Sequence, residues 1–132
     1  MHIDHIGIAV KDLESAIKTY EILLNSLCSK RELVESEKVE TAFFQTGESK
    51  VELLGAASGD SVIAKYIEKK GEGLHHVAFE VEDIHSEINR LRAEGFTILN
   101  DQPKLGADNK MVIFIHPKDN NGVLIELCQT IE

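Results

Sequence analysis

HHVAFEVEDIHSEI, at residues 75–88, decides the fold, because it repeats DHIGIAVKDLESAI at residues 4–17 without a gap. The alignment places His76 on His5. Each copy begins with alternating residues rich in β-branched or aromatic side chains, which predicts a strand, and continues with apolar residues at helical spacing. A repeat of this kind marks a repeated structural unit, so two copies of one module are predicted.

The remainder of each half predicts further strands, which gives both modules the order β-α-β-β-β. These strands are expected at 27–36, 39–46 and 50–54 in the first half, and near 96–100, 111–116 and 123–128 in the second. Between the halves, residues 60–70 predict a linking helix that begins at Asp60 or Ser61 and stops at Gly71.

The first strand of each half predicts one bulky face and one open face. In the first strand His5 shares a face with Gly7 and Ala9, and in the matching strand His76 shares a face with Ala78. Small residues beside a histidine leave space, as the floor of a cup requires. We therefore predict an α+β fold in which two paired β-α-β-β-β modules form a cup-shaped mixed β-sheet. Residues 1–132 are expected to form a single domain, with module one at about 1–56, the linking helix at about 60–70 and module two at about 73–130.

Composition limits the possible partners. Hydrophobic residues make up 42% of the chain, as in an ordinary globular protein, and the formal net charge is −9. That charge argues against nucleic acid or an anionic membrane surface as a partner. No apolar run is long enough to cross a bilayer. Without a secretory signal, Cys28 and Cys128 are expected to be reduced thiols of a cytoplasmic protein.

Two carboxylates recur in the same places as the histidines. Glu52 lies within the apolar stretch VELL, and Glu126 lies within LIEL. A buried carboxylate is costly unless it is paired or bound to a metal. Each half thus offers one histidine on its first strand and one glutamate on its last. Together His5, Glu52, His76 and Glu126 would suit cobalt, nickel, manganese or zinc, and octahedral coordination would leave two adjacent positions for substrate oxygens.

Ordinary structural roles compete with this interpretation. A single histidine on a strand is more often a core or surface residue than a ligand, and a glutamate in an apolar strand commonly faces solvent from an antiparallel sheet. The symmetric recurrence of both residue types favours the metal site. His75 points away from His76 by strand parity and is expected to be structural.

The chain resembles the vicinal oxygen chelate (glyoxalase/bleomycin resistance/dioxygenase) superfamily, and nearly all of it is similar to the methylmalonyl-CoA epimerase family. The stretches that carry the resemblance are DHIGIAVKDLESAI (4–17), VELL (51–54), DSVIAKYIEKKGEGLHHVAFEV (60–81), PKLGA (103–107) and HPKDNNGVLIEL (116–127). The resemblance carries the metal ligands of that family onto His5, His76 and Glu126. Some members have Gln at the fourth ligand, where this chain has Glu52.

The resemblance implies an epimerase that interconverts the 2R and 2S forms of methylmalonyl-CoA through a metal-stabilised enolate. It implies one divalent metal ion, with Co²⁺ preferred to Ni²⁺, Mn²⁺ or Zn²⁺, and a homodimer. Inversion needs proton transfer on two faces, for which Glu126 and Glu52 are the candidates. The acyl-CoA substrate carries phosphates, and Lys104, Lys110 and Lys118 are the candidates to contact them.

Two other functions remain open on the same fold. Glyoxalase I (lactoylglutathione lyase) uses the same metal chemistry on a hemithioacetal of methylglyoxal and a thiol. A non-catalytic small-molecule binding or resistance protein is the other alternative. Extradiol dioxygenases are disfavoured, because a fourth protein ligand would block one of the open positions that they need.

Overall fold

The computed structural model describes residues 1–132 and contains eight strands and three α-helices. In chain order they are β1 (His2–Ala9), α1 (Leu13–Leu24), β2 (Lys30–Val34), β3 (Val39–Thr46), β4 (Ser49–Ala56), α2 (Val62–Lys70), β5 (Gly73–Glu80), α3 (Ile84–Ala93), β6 (Lys104–Leu105), β7 (Lys110–Ile115) and β8 (Ile125–Thr130). Short 3-10 turns occupy Glu35–Glu37 and Pro117–Asp119. None of the helices combines the length and the hydrophobicity that a membrane span requires.

The chain divides into two compact units, which are described separately. The first unit comprises Met1–His5 with His76–Glu132, and the second comprises Ile6–His75. This division differs from the predicted modules, because the first half of β1 groups with the second half of the chain. The assignment of residues 1–132 to a single domain remains a prediction.

Each of the three helices begins at a residue whose side chain caps the first turn. Asp12 and Asp83 each cap a helix by accepting a hydrogen bond from the backbone N–H three residues later, at 3.2 Å. Ser61 caps α2 in the same way, at 3.0 Å from the backbone nitrogen of Ala64. The linking helix predicted at 60–70 is thus confirmed as Val62–Lys70.

In the unit Ile6–His75, the strands β2, β3 and β4 are antiparallel neighbours. The backbone nitrogen of Val10 donates to the carbonyl of Leu54 at 2.9 Å. Side chains on one face of these strands form a core with α1, and a second core includes α2. The first core contains Val10, Leu13, Ile17, Ala42, Phe44 and Leu53, and the second contains Ala9, Val39, Leu54 and Ile63.

In the other unit, β5, β8, β7 and β6 are neighbours in that order, with β5 and β8 parallel and the other pairs antiparallel. The apolar residues of one face pack against α3, and they form a core of Val81, Ile84, Ile88, Leu91, Ile113, Ile115 and Leu127. The opposite face carries His76 and Ala78 on β5, as strand parity predicts. This second face holds the polar side chains that concern function.

The strand predicted near 96–100 is wrong. Only Ile98 pairs with β7, through a single bridge to Ile115. The next bond to β7 is made by a side chain, since the Oδ1 atom of Asn100 accepts from the backbone nitrogen of Phe114 at 3.0 Å. An asparagine that replaces the backbone in this way ends the ladder. The strand in this part of the chain is the two-residue β6 instead.

Candidate metal centre

Three predicted ligands meet in the unit that contains both chain termini. The Nε2 atoms of His5 and His76 are 3.1 Å apart. One carboxylate oxygen of Glu126 lies 3.7 Å from His5 Nε2, and the other lies 3.4 Å from His76 Nε2. All three side chains are buried, with 5–6% of their surface exposed. Three potential ligands therefore point their donor atoms at one another inside the protein.

The strand register explains why His76 and Glu126 meet. Ala78 on β5 is paired with Glu126 on the parallel strand β8. His76 precedes Ala78 by two residues, so its side chain lies on the same face. Ala78 has no exposed surface and only a methyl side chain, which leaves room for the larger groups beside it. Phe114 faces Glu126 from β7, and its ring centroid is 6.1 Å from that of His76.

Asp4 determines which nitrogen of His5 is available. Its Oδ2 atom lies 2.7 Å from His5 Nδ1. A carboxylate can only accept here, so Nδ1 carries the proton and Nε2 presents its lone pair to His76 and Glu126. A metal-binding histidine commonly donates its other N–H to a carboxylate in this way. Sequence analysis missed Asp4, because adjacent residues of a strand normally point to opposite faces.

A buried lysine lies beyond Asp4. The Nζ atom of Lys110 is 3.5 Å from Asp4 Oδ1, 2.8 Å from Glu80 Oε2 and 2.7 Å from Thr130 Oγ1. Burial alone would lower the pKa of Lys110, but Glu80 and Asp4 outweigh it and the pKa is raised. Burial likewise acts to raise the pKa of Glu80, and the hydrogen bonds from Lys110 and Thr130 reverse this, so that the pKa is lowered. Both groups are held in their charged forms at neutral pH.

The three ligands fit a divalent metal ion by chemistry and by spacing. Two imidazole nitrogens and a carboxylate suit the divalent transition metals from manganese to zinc. Donors about 2.1 Å from one ion are separated by about 3.0 Å at a right angle and by about 3.4 Å at a tetrahedral angle. The observed separations of 3.1, 3.4 and 3.7 Å lie close to this range.

The fourth predicted ligand, Glu52, lies in the other unit. It is on β4 opposite Phe43 of β3, and 4% of its surface is exposed. Its neighbour Leu53 packs in the α1 core, so the Glu52 side chain occupies the face away from that core. The structure thus contains a buried carboxylate at this position. The role of Glu52 as a ligand and as a proton-transfer group remains a prediction.

The three predicted phosphate-binding lysines have different surroundings. Lys104 is half-buried, with its Nζ atom 5.8 Å from the centroid of the Phe114 ring. Lys118 is exposed, in the turn Pro117–Asp119. Lys110 is 8% exposed and its ammonium is engaged by buried or half-buried partners. The prediction that Lys110 contacts substrate phosphates therefore disagrees with its placement.

Comparison with known proteins shows the family. The profile of the Glyoxalase/Bleomycin resistance protein/Dioxygenase superfamily matches residues 4–114, and the chain belongs to this superfamily. The ethylmalonyl-CoA/methylmalonyl-CoA epimerase of Cereibacter sphaeroides is 39% identical over 96% of this chain and 96% of its own length. The uncharacterised protein YqjC of Bacillus subtilis is 40% identical over 96% of this chain and 91% of its own length.

A solved structure gives the same result. A variant of the methylmalonyl-CoA epimerase of Streptomyces coelicolor, in complex with 2-nitronate-propionyl-CoA, superposes with a TM-score of 0.94 at 34% identity, covering 98% of this chain and 94% of that one. Within the superfamily, the chain is a methylmalonyl-CoA epimerase-like member. The predicted fold class and the prediction of an isomerase of this type are confirmed.

Proposed function

We propose that this chain binds one divalent metal ion through His5, His76, Glu126 and Glu52. The observation that carries the proposal is the convergence of His5, His76 and Glu126, whose buried donor atoms lie 3.1–3.7 Å apart. Glu52 is added because it corresponds to Glu126 in the sequence repeat and is also a buried carboxylate. Two carboxylates would cancel the charge of the ion, and Co²⁺ is the first metal to test.

The reaction that we propose is the interconversion of the 2R and 2S forms of methylmalonyl-CoA. The α-carbon of this substrate lies between a thioester and a carboxylate, so its proton is acidic. A divalent ion, when bound, would act as a Lewis acid and stabilise the negative charge that develops on the substrate oxygen. Epimerisation then requires groups that remove and return a proton on opposite faces of the carbon.

Glu126 is our candidate for one of these groups, and Glu52 for the other. The side chains around Glu126 on its face are largely apolar, namely Ala78, Phe114 and Cys128. Such surroundings exclude water and favour proton transfer between the carboxylate and the substrate carbon. The Glu126 carboxylate is also oriented by the two imidazoles. A carboxylate bound to the metal must leave it before it can accept a proton from the substrate. The roles of metal ligand and of base are therefore tested separately, by substitution of each glutamate.

The anionic CoA portion would be bound by Lys104 and Lys118. Lys104 is well placed for this, because its ammonium lies over Phe114 and that ring lies beside His76. A lysine one aromatic side chain away from the proposed centre can meet a negative charge on a bound substrate. Lys118 is exposed and could contact a more distant phosphate.

We also propose that the chain forms a homodimer, as the resemblance to epimerases implies. The structure contains exposed large apolar side chains that an interface could cover, among them Ile3, Leu99 and Leu105. Sedimentation at micromolar concentration is expected to give twice the mass of one chain. A monomer under these conditions would contradict the proposal.

The reaction is tested by exchange of solvent deuterium into C2 of methylmalonyl-CoA, followed by mass spectrometry. Metal-loaded wild-type protein is expected to exchange this proton. Glu126→Gln should lose exchange by several orders of magnitude while the protein remains folded. The residue Glu48 offers a matched control, because Glu48→Gln makes the same chemical change at an exposed position in the turn between β3 and β4 and should exchange like the wild type.

Glu52→Gln separates the roles of ligand and base. If Glu52 is only a ligand, this variant should keep much of its activity, because Gln is a neutral ligand at the same position in some relatives. If Glu52 is the second proton-transfer group, exchange on one stereoisomer should persist while racemisation stops. The epimerase proposal fails if metal-loaded protein gives no exchange but isomerises the methylglyoxal–glutathione hemithioacetal, which would identify a glyoxalase.

A further inference from the structure

The buried lysine beside Asp4 is not used by the proposed reaction. Lys110 begins β7 and is paired with Thr130 on β8, whereas Phe114 at the far end of β7 faces Glu126. Between these ends lies an apolar layer of Ala78, Val112 and Cys128, which are buried. Lys110 is thus separated from Glu126 by a layer of core residues, yet its ammonium reaches the carboxylate that bonds His5.

The surroundings of this ammonium resemble those of a bound cation. Ligand atoms of Asp4, Glu80 and Cys128 lie within 4.8 Å of one another, the kind of grouping that could hold a metal ion. The Lys110 ammonium contacts two of these groups, at 3.5 Å from Asp4 and 2.8 Å from Glu80. The hydroxyl of Thr130 accepts from Lys110 and lies 2.7 Å from the other oxygen of Glu80. The protein therefore supplies its own cation here.

We infer that Lys110 and Asp4 are positioning residues for the metal ligand His5, an inference that rests on the proposed function. Asp4 fixes the tautomer and the ring orientation of His5. Lys110 fixes Asp4 in turn, because an isolated carboxylate at this depth would lack a compensating charge. The arrangement is a chain of three groups, the ammonium, the carboxylate and the imidazole, joined by two contacts. Glu80 and Thr130 hold the ammonium at the outer end of this chain.

The direction of the change in metal affinity distinguishes this positioning role from direct electrostatic repulsion between the Lys110 ammonium and the metal ion. A positive charge repels a divalent cation, so removal of Lys110 would tighten metal binding if its charge acted directly. If Lys110 acts through Asp4 and His5, its removal loosens the ligand and weakens binding. Loss of such an outer partner typically costs about 10- to 100-fold in metal affinity.

The experiment measures Co²⁺ binding by titration of its visible absorption, which reports affinity and coordination without any turnover. Lys110→Met, close in volume, and Asp4→Asn, close in shape, should each weaken binding by about tenfold and alter the absorption bands. Lys69→Met is the matched control, since Lys69 is an exposed lysine on α2. Far-UV circular dichroism establishes that each variant is folded, and Asp4→Asn tests the same link if Lys110→Met does not fold.

The double variant tests whether the two residues act along one path. Lys110→Met should have little further effect in the Asp4→Asn background, because the link that it supports is already broken. The inference is overturned if Lys110→Met binds Co²⁺ as tightly as the wild type or more tightly. It is also overturned if the loss of affinity in the double variant equals the sum of the losses in the two single variants. If wild-type protein takes up no divalent ion, the proposed function fails together with the inference. If metal binds normally in the wild type and in both variants, only the inference fails.

Discussion

Co²⁺ is expected to raise the melting temperature of the metal-free protein by about 10 °C at one hundred times its dissociation constant. His5 and His76 lie far apart in the sequence, and their Nε2 atoms come within 3.1 Å only in the folded chain. The unfolded chain has no such site, so binding stabilises the folded state alone. At this ligand excess the free energy of unfolding rises by about 2.7 kcal/mol.

The temperature shift follows from the size of the protein. Unfolding a globular chain has an entropy of about 2.1 cal/mol/K per residue, which for 132 residues gives about 0.28 kcal/mol/K. Dividing the stabilisation by this entropy gives the shift of about 10 °C. Differential scanning calorimetry with and without metal measures it directly, and excess chelator should reverse it.

Substitution of a ligand should remove most of the shift. If His76→Gln weakens binding about a hundredfold, the same metal concentration equals the new dissociation constant, and only about 0.4 kcal/mol, or 1–2 °C, remains. His85→Gln is the matched control, because His85 is exposed on α3, and this variant should keep the full shift. The metal centre would be refuted if none of Co²⁺, Ni²⁺, Mn²⁺ and Zn²⁺ moved the wild-type melting temperature by more than about 2 °C. It would also be refuted if the control variant His85→Gln lost as much of the shift as His76→Gln.

Three further predictions concern the protein without metal. Cys128 has no exposed surface and burial raises the pKa of its thiol, so a thiol reagent at neutral pH should label Cys28 in the folded protein and Cys128 only after unfolding; rapid labelling of both would contradict this. Ile113→Ala should lower the free energy of unfolding by about 2–5 kcal/mol in denaturant titrations, because Ile113 is fully buried in the α3 core. Ile22 is 83% exposed, and the control variant Ile22→Ala should change the free energy of unfolding by less than about 0.5 kcal/mol. The folded-state pKa of Glu80 is lowered from its usual value of 4.5, so ionised Glu80 stabilises the fold above that value and this stabilisation is lost as the pH falls through the lowered pKa. The difference in unfolding free energy between wild type and Glu80→Gln should therefore shrink on acidification. A difference that grows would show that Glu80 does not stabilise the fold through its charge.

Local patterns in the sequence predict the three helices and all strands except β6, and they identify three residues that meet in the candidate metal centre. Helix starts at Asp12 and Asp83 follow from capping chemistry, which acts within one turn and therefore leaves a signature within four residues. The alternation in the strands predicted which side of β5 carries His76, because the face of a side chain depends only on parity. The repeat then aligned His5 with His76 and Glu52 with Glu126, and three of these four side chains meet in one unit of the structure.

Two contacts of the candidate metal centre could be found only from the tertiary structure. Parity placed Asp4 and His5 on opposite faces, and only the folded conformation shows that the Asp4 carboxylate reaches His5 Nδ1. The sequence likewise presents Lys110 as one more lysine of an acidic chain, suited to a phosphate, whereas the register of β7 with β8 buries it against Thr130. The two cases are connected, because the Lys110 ammonium also contacts the Asp4 carboxylate. A periodic pattern reports the direction of a side chain relative to its own backbone, but the partner of a buried charge is determined by which strands lie side by side, and that is set by packing over the whole unit.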